Sequence, residues 1–94
     1  MTITDYCLQI SKLLEGTNNS DKSDTFLWLA NNYDFDKKDI LSKIKGMYGG
    51  MGSFSDMVLY KDGKVDFEGN EKLHALREGL YNAVAAEIVK LRSS

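Results

Sequence analysis

The segment that decides the fold is residues 57–67, MVLYKDGKVDF, which separates two otherwise helical parts of the chain. Short runs of aliphatic and aromatic residues flank the dipeptide Asp62-Gly63. A two-residue type I′ turn needs positive φ at both central positions, and Asp-Gly is a preferred pair there. The segment therefore predicts a β-hairpin near residues 57–67. A lone hairpin is marginally stable in water, so we expect it to dock on helices or to pair with another strand.

The segment that follows the hairpin has the longest helical pattern of the chain. We predict Asn70 as its N-terminal cap, because a short polar side chain can accept a hydrogen bond from the first turn. Gly79 costs an exposed helix about 1 kcal/mol relative to alanine, which favours close packing against a neighbour at that position. The core stripe of this helix is Leu73, Leu76, Leu80, Val84, Ile88 and Leu91.

The part before the hairpin predicts three shorter helices. The first carries Ile3, Cys7, Ile10 and Leu14 at helical spacing, is capped by Thr2 or Thr4 and ends near Gly16. A polar loop, residues 17–22, leads to a second helix that is capped by Ser23 or Asp24, continues to about Asn32 and buries residues 26–30 deeply. Asp36 caps the third, whose apolar side comprises Ile40, Leu41, Ile44, Met47 and Tyr48.

These patterns predict a mostly helical α+β fold. About four helices carry one β-hairpin, near residues 57–67, between the third helix and the long C-terminal helix. No repeat or linker divides the chain, so residues 1–94 form a single compact domain.

Composition excludes several classes of protein. The single cysteine rules out an internal disulfide. The net charge is -2, whereas nucleic-acid-binding proteins usually carry a net positive charge. The chain begins without a secretory signal pattern and has no run of about 20 apolar residues. We therefore predict a cytoplasmic protein that binds neither nucleic acid nor membrane.

The residues contain no recognisable catalytic set, so we predict no enzyme activity, metal site or cofactor. Cys7 lies on an apolar helix face and is typical of a core residue. Glu71, His74 and Glu78 share one helical face, but a di-metal site needs a second histidine that this chain lacks. Residues 34–45 lack the glycine and glutamate of a calcium loop.

A glycine-rich connector, YGGMGSFSD at residues 48–56, precedes the hairpin. Its backbone N–H groups suit a phosphate. A Walker-type loop, however, leads from a strand to a helix and carries a lysine, whereas this segment leads from a predicted helix to a predicted strand and contains no lysine. A structural crossing is one interpretation and a small-ligand or nucleotide site the other. The site residues would be Gly49, Gly50, Gly52, Ser53, Ser55 and Asp56.

Aromatic and acidic residues near element ends predict a protein-binding surface. Aromatic side chains are frequent anchors of interfaces, and acids around them favour a basic partner. The alternative is that these aromatics attach loops to a small core. The predicted partner-binding residues are Asp34, Phe35, Asp36, Asp39, Tyr60, Asp62, Asp66 and Glu68.

Residues 40–84 resemble a group of small bacterial proteins without an established activity. The resemblance is carried by Tyr48-Gly49-Gly50-Met51-Gly52-Ser53-Phe54, followed by Ser55, Asp56 and the residues Met57-Val58-Leu59. The later part of the motif is Asn70, Leu73, Leu76-Arg77 and Leu80-Tyr81. Ser55 stands where the group more often has asparagine. Such proteins are similar to the stand-alone products of toxin–immunity and accessory loci, which implies a protein-binding role.

The leading hypothesis is a non-enzymatic protein-binding module, specifically a bacterial immunity protein that neutralises a cognate toxin, such as a nuclease, by direct binding. An acidic inhibitor would meet a basic toxin domain with complementary charge. The alternative is a small-ligand or nucleotide-binding regulator, or a minor enzyme, that uses loop 49–56. A third hypothesis is a structural subunit that pairs hairpins, and we expect a monomer or a weak homodimer.

Overall fold

The computed structural model describes residues 1–49 and 54–93. Within them the chain forms four α-helices and one antiparallel hairpin, which confirms the predicted fold class. The hairpin lies between the third and fourth helices and follows a 3₁₀ turn, Phe54–Asp56. The helices are α1 Ile3–Leu14, α2 Ser20–Asn32, α3 Lys37–Met47 and α4 Phe67–Ser93, and the strands are β1 Tyr60–Lys61 and β2 Lys64–Val65.

Helix α1 begins at a reciprocal cap, as its sequence predicts. The Thr2 hydroxyl accepts a hydrogen bond from the Asp5 N–H at 3.1 Å, and the Asp5 carboxylate accepts one from the Thr2 N–H at 3.0 Å. These bonds to Thr2 hold the pKa of Asp5 below its usual range, because they favour the charged carboxylate. Gly16, at φ 73°, follows the last turn in the left-handed region.

Helix α2 begins at Ser20, so the prediction of a loop through residue 22 with a cap at Ser23 or Asp24 was wrong. The physical reason is a contact with α1. The Ser23 hydroxyl donates to the Ser11 carbonyl and the Ser11 hydroxyl donates to the Ser23 carbonyl, both at 2.7 Å. Both serines are buried. Ser23 therefore joins two helices and is not the start of one.

Burial along α2 is also narrower than its sequence predicts. Phe26, Leu29 and Ala30 are buried, whereas Leu27 and Trp28 lie almost half exposed. Helix α2 packs against α1 and α3, and its remaining face is turned away from them. An apolar run in a short helix thus covers more of the circumference than two neighbours can bury.

Helix α4 begins at Phe67, four residues earlier than a cap at Asn70 would allow, so that prediction was wrong. The Asp66 carboxylate accepts a hydrogen bond from the Gly69 N–H at 3.0 Å and takes the capping role. By contrast, Asp36 caps α3 as predicted, since its carboxylate accepts from the Asp39 N–H.

The hairpin has the predicted turn. Asp62 and Gly63 have φ of 52° and 77°, and the register pairs Tyr60 with Val65 and Lys61 with Lys64. The strands are shorter than the apolar runs that predict them, because helix α4 starts directly after the second strand.

One apolar core joins the four helices to the connector and the hairpin. Helix α1 packs against α2 and α4, and α3 packs against the same two helices. Phe54 and Leu59 bring the turn and the hairpin into this core, and Cys7 is buried in it as predicted. Within residues 1–49 and 54–93, no helix combines the length and the apolar character needed to cross a bilayer.

Candidate functional site

The Asn70 side chain fixes the hairpin to α4. Its Oδ1 accepts a hydrogen bond from the Leu59 N–H at 2.8 Å, while its Nδ2 donates to the Leu59 carbonyl at 3.1 Å and to the Asp66 carbonyl at 2.8 Å. The amide therefore pairs with Leu59 as an adjacent strand would. Leu59 itself is fully buried.

Asn18, in the connection between α1 and α2, holds the neighbouring residues of the same strand segment, Val58 and Tyr60. The Tyr60 N–H donates to Asn18 Oδ1 at 2.9 Å, and the Asn18 N–H donates to the Tyr60 carbonyl at 3.4 Å. The Asn18 side-chain amide also donates to the Val58 carbonyl. Of the two expected ways to stabilise the hairpin, docking on the helical part is the one observed.

Four exposed apolar side chains lie in the hairpin or next to it. Tyr60 and Val65 are opposite each other in the register, and a hydrogen bond from the Asp66 N–H to the Leu59 carbonyl follows that pair. Val58 lies two residues before Tyr60, and Phe67, the first residue of α4, lies two residues after Val65, while Leu59 is buried in the core. The exposed fractions are 45% for Val58, 43% for Tyr60, 40% for Val65 and 80% for Phe67. We call these four residues the hairpin face.

The acidic residues predicted here have different surroundings. Asp62 lies at the exposed tip of the turn, and Glu68 follows Phe67 in an exposed ion pair with Lys72 at 3.4 Å. Asp66 alternates away from the hairpin face and caps α4. Tyr60, Asp62 and Glu68 are thus the predicted residues that lie on or beside the hairpin face.

The other predicted acids are at the opposite end of α2. Phe35 is 88% exposed in the turn between α2 and α3, next to Asp34 and the capping Asp36. Asp39 forms an exposed ion pair with Lys43 at 3.3 Å. The hairpin contacts the residue before α2, so the 13 residues of that helix separate this turn from the hairpin by about 20 Å. The eight predicted residues therefore fall into two groups, not one surface.

Sequence reasoning missed Val58, Val65 and Phe67 as members of a surface. Part of the signal was present, because the Asp62-Gly63 turn sets the register, and the register pairs residue 60 with residue 65 on one side. What the local pattern did not contain was which of the two sides would be covered by helices.

The described ends of the glycine-rich connector are held by aromatic and polar contacts. Phe54 is buried, with its ring centroid 4.9 Å from that of Phe26 and 5.3 Å from that of Tyr48. The Ser55 hydroxyl donates to the Tyr48 carbonyl at 2.8 Å and so joins the two ends. Of the predicted ligand-binding residues, Gly50, Gly52 and Ser53 lie outside the described residues; Gly49, Ser55 and Asp56 are exposed.

Arg77 of α4 fixes the same region from the other side. Its Nη1 donates to the Phe54 carbonyl at 3.0 Å and to the Met57 carbonyl at 3.4 Å. The Tyr48 hydroxyl donates to the Arg77 carbonyl at 2.6 Å, and burial raises the pKa of Tyr48. Several residues of the quoted resemblance thus have structural contacts: Tyr48, Phe54, Ser55, Leu59, Asn70 and Arg77.

A groove of about 410 Å³ lies beside Tyr48, Ser55 and Arg77. Half-buried Arg77 lines it together with exposed Glu78 and Tyr81, and the Tyr81 ring lies 5.1 Å from that of Tyr48. The His74 Nε2 is 3.6 Å from the Glu78 carboxylate. The complete lining is Tyr48, Ser55, His74, Arg77, Glu78, Tyr81 and Asn82.

The chemistry of Cys7 and His74 does not suggest a nucleophilic pair. Burial raises the pKa of the Cys7 thiol to about 12, so it is protonated at neutral pH and shielded from solvent. His74 is an exposed residue of α4. Among the residues that the structure describes, no three His, Cys, Asp or Glu side chains are grouped to hold a metal ion.

Fold and site define a small helical domain that presents an anchored hairpin. The chain belongs to a family described as a domain of unknown function, DUF6966, whose sequence model matches residues 17–66. That segment runs from the connection before α2 to the capping residue of α4 and contains the hairpin face except Phe67. The comparisons found no match among the curated proteins and none among the solved structures.

Proposed function

We propose that this chain is a non-enzymatic protein-binding module whose partner docks on the hairpin face. The observation that carries the proposal is the exposure of four apolar side chains in or next to a hairpin whose residues 58–60 are held by Asn18 and Asn70. Contiguous exposed apolar groups on a small domain are typical of interaction sites. A segment already held by Asn18 and Asn70 loses little conformational entropy on binding.

The dimensions of the molecule favour one end as the contact. A standard interface covers about 800 Å² on each partner. The protein measures 47 × 23 × 22 Å, and the hairpin and the Phe35 turn lie at opposite ends of α2. A partner centred on one of them therefore meets the other only toward the rim of a standard interface, where contacts contribute less. The hairpin offers four apolar side chains against one at the turn, so it is the better anchor.

The biological role that we propose is that of a bacterial immunity protein for a cognate toxin, such as a nuclease. Its support is the resemblance of residues 40–84, the net charge of -2 and the acids Asp62 and Glu68 beside the hairpin face. A toxin domain that cleaves nucleic acid needs a basic surface, and acids near the contact would speed its association with the inhibitor.

The test is affinity capture from a lysate of the source organism with tagged wild-type protein and two matched variants. Phe67→Ser removes the most exposed side chain of the hairpin face, and Phe35→Ser removes an equally exposed phenylalanine at the far end. We expect one stoichiometric partner with a toxin domain to be retained by wild type and Phe35→Ser and to be lost with Phe67→Ser. Co-expression of that partner with wild type should rescue growth.

Two results would contradict the proposal. Loss of the partner with Phe35→Ser but not with Phe67→Ser would move the interface to the α2–α3 turn. Recovery of the protein alone, with a dimeric mass in solution that Phe67→Ser makes monomeric, would instead support the hypothesis of a subunit that pairs hairpins.

The electrostatic part of the proposal has a separate test on the captured partner. Asp62→Asn suits the positive φ of the turn, and Glu68→Gln changes an exposed ion pair, so both variants should fold. We expect the double variant to associate about tenfold more slowly at low salt and to depend less on ionic strength. Unchanged association rates would show that these acids do not steer the partner.

A further inference from the structure

Arg77 places a positive charge beside the groove. The side chain is half-buried, and its Nη1 donates to two neutral carbonyls, those of Phe54 and Met57. Its guanidinium carbon also lies 6.0 Å from the centroid of the Phe54 ring. A guanidinium has five N–H donors and this side chain is partly exposed to solvent, so Arg77 can still donate to an anionic group that enters the groove.

The groove beside Arg77 also contains a negative charge. Glu78 is the next residue of α4 and lines the same groove, together with Tyr48 and Tyr81. A simple anion would be attracted by Arg77 and repelled by Glu78. A molecule that carries both charges would be attracted by both residues, and an ammonium would also be favoured by the neighbouring tyrosine rings.

We propose that this groove binds a small zwitterion with a carboxylate and an ammonium group, in the manner of a free amino acid. The carboxylate pairs with the Arg77 guanidinium and the ammonium with the Glu78 carboxylate. The groove volume of about 410 Å³ lies within the usual range for small-molecule sites. Arg77 is already held in place by Phe54 and Met57, so binding requires little reorganisation of that side chain.

This site is separate from the hairpin face. Its α4 residues lie between positions 74 and 82, whereas the hairpin face ends at Phe67. Loss of zwitterion binding and loss of partner capture are therefore distinguishable, because each depends on residues that the other does not use.

The test is an NMR titration of the ¹⁵N-labelled full chain with three matched probes. L-leucine carries both charges, 4-methylpentanoate lacks the ammonium, and 3-methylbutylamine lacks the carboxylate. We expect saturable shifts of amide signals at residues 74–82 with L-leucine at millimolar concentration. Each single-charge probe should bind about tenfold more weakly, since it loses one charge-assisted contact.

A charge variant makes the test specific. Glu78→Gln removes the proposed ammonium partner at an exposed position, where folding should be unaffected, and Glu71→Gln is the matched control on the same helix outside the groove. We expect Glu78→Gln to weaken L-leucine about tenfold and to leave 4-methylpentanoate binding equal or tighter, with Glu71→Gln unchanged.

Three results would overturn the proposal. One is the absence of saturable shifts with L-leucine, L-glutamate and L-lysine alike. Another is equal affinity for L-leucine and 4-methylpentanoate, which would indicate a general anion site. The third is L-leucine affinity that Glu78→Gln does not change.

Discussion

At the scale of single residues, Asn70 has a structural role that its position in the sequence does not indicate. A polar residue before an apolar helical stripe indicates a cap, and Asn70 instead pairs with the backbone of Leu59, eleven residues earlier. The amide satisfies three backbone groups at once, those of Leu59 and Asp66. Without it, the Leu59 N–H would lose its partner, whereas the Leu59 and Asp66 carbonyls would keep their backbone donors, Asp66 N–H and Asn70 N–H.

We predict that Asn70→Ala lowers the free energy of unfolding by about 2 kcal/mol, because the N–H of the buried Leu59 loses its partner. Urea denaturation followed by circular dichroism gives the value. Asn82→Ala is the matched control, since Asn82 is exposed on the same helix and its replacement should change stability by less than about 0.5 kcal/mol. Equal stability of the two variants would refute the pairing role of Asn70.

Because the thiol of Cys7 is buried, we predict that the free energy of unfolding falls at alkaline pH. Burial raises the pKa of its thiol from 9.0 to about 12, so the folded protein retains a proton that the unfolded chain releases. The stabilisation is complete below pH 9.0 and is lost as the pH rises toward 12. We expect the difference in unfolding free energy between wild type and Cys7→Ala to shrink over this range. A difference that stays constant would mean that the thiol does not titrate with unfolding.

At the scale of elements, two helical glycines should respond in opposite ways to alanine. A Cβ at Gly46 of α3 would have no atom within 4 Å, and we predict that Gly46→Ala stabilises the protein by up to about 1 kcal/mol. A Cβ at Gly79 of α4 would lie 2.5 Å from the Tyr6 ring. Gly79→Ala should therefore destabilise by about 1–3 kcal/mol despite its better helix propensity. Thermal or urea unfolding measures both changes.

The contact with Tyr6 has its own control. In a Tyr6→Ala background the obstacle is removed, and Gly79→Ala should then be neutral or stabilising, as at Gly46. If Gly79→Ala is equally unfavourable in both backgrounds, the close packing that the sequence predicts at Gly79 is not what limits that position.

The elements that were predicted correctly are those whose sequence signal lies within a few adjacent residues. Apolar spacing of 3.6 residues indicated the helices, and Asp62-Gly63 indicated the turn, because each signal is contained in a few adjacent residues. The starts of α2 and α4 were wrong for a different reason. Ser23 bonds to Ser11 and Asn70 to Leu59, and partners eleven or twelve residues away are not visible in a local pattern.

For the candidate site, too, the features set by adjacent residues were predictable and those set by distant residues were not. The composition of the site, aromatic and acidic, was predictable from residue types, whereas its division into two groups depends on where α2 places its ends. The pairing of Tyr60 with Val65 in the hairpin face was within reach of sequence reasoning once the turn was assigned. The groove beside Arg77 was not, since it needs α3, the 3₁₀ turn and α4 together.

At the scale of the whole molecule, the family segment is not the folding unit. Residues 17–66 contain α2, α3 and the hairpin, but α1 and α4 complete the core. The core residues that lie outside the segment are Ile3, Cys7, Ile10, Leu14, Leu73, Leu80 and Val84. Each helix of the segment would thus lose a neighbour against which its apolar side packs.

We predict that a fragment of residues 17–66 has little helical circular dichroism and no cooperative thermal transition, because its isolated helices are short and unburied. The full chain should unfold in one cooperative step. Addition of α4 alone as a second peptide, residues 67–93, would not restore α1 and should give no transition either. A cooperative transition in the 17–66 fragment would show that the matched segment folds alone.

The separation between core and hairpin face has a consequence for evolution. Residues 58, 60, 65 and 67 are exposed and do not belong to the core, and the backbone of residues 58–60 is held by asparagine side chains that belong to other elements. Duplicated genes could therefore exchange these four amino acids freely and acquire new specificities while the scaffold keeps its shape. Relatives with the same architecture would then be expected to discriminate between different partners, much as antibody loops differ on one constant framework.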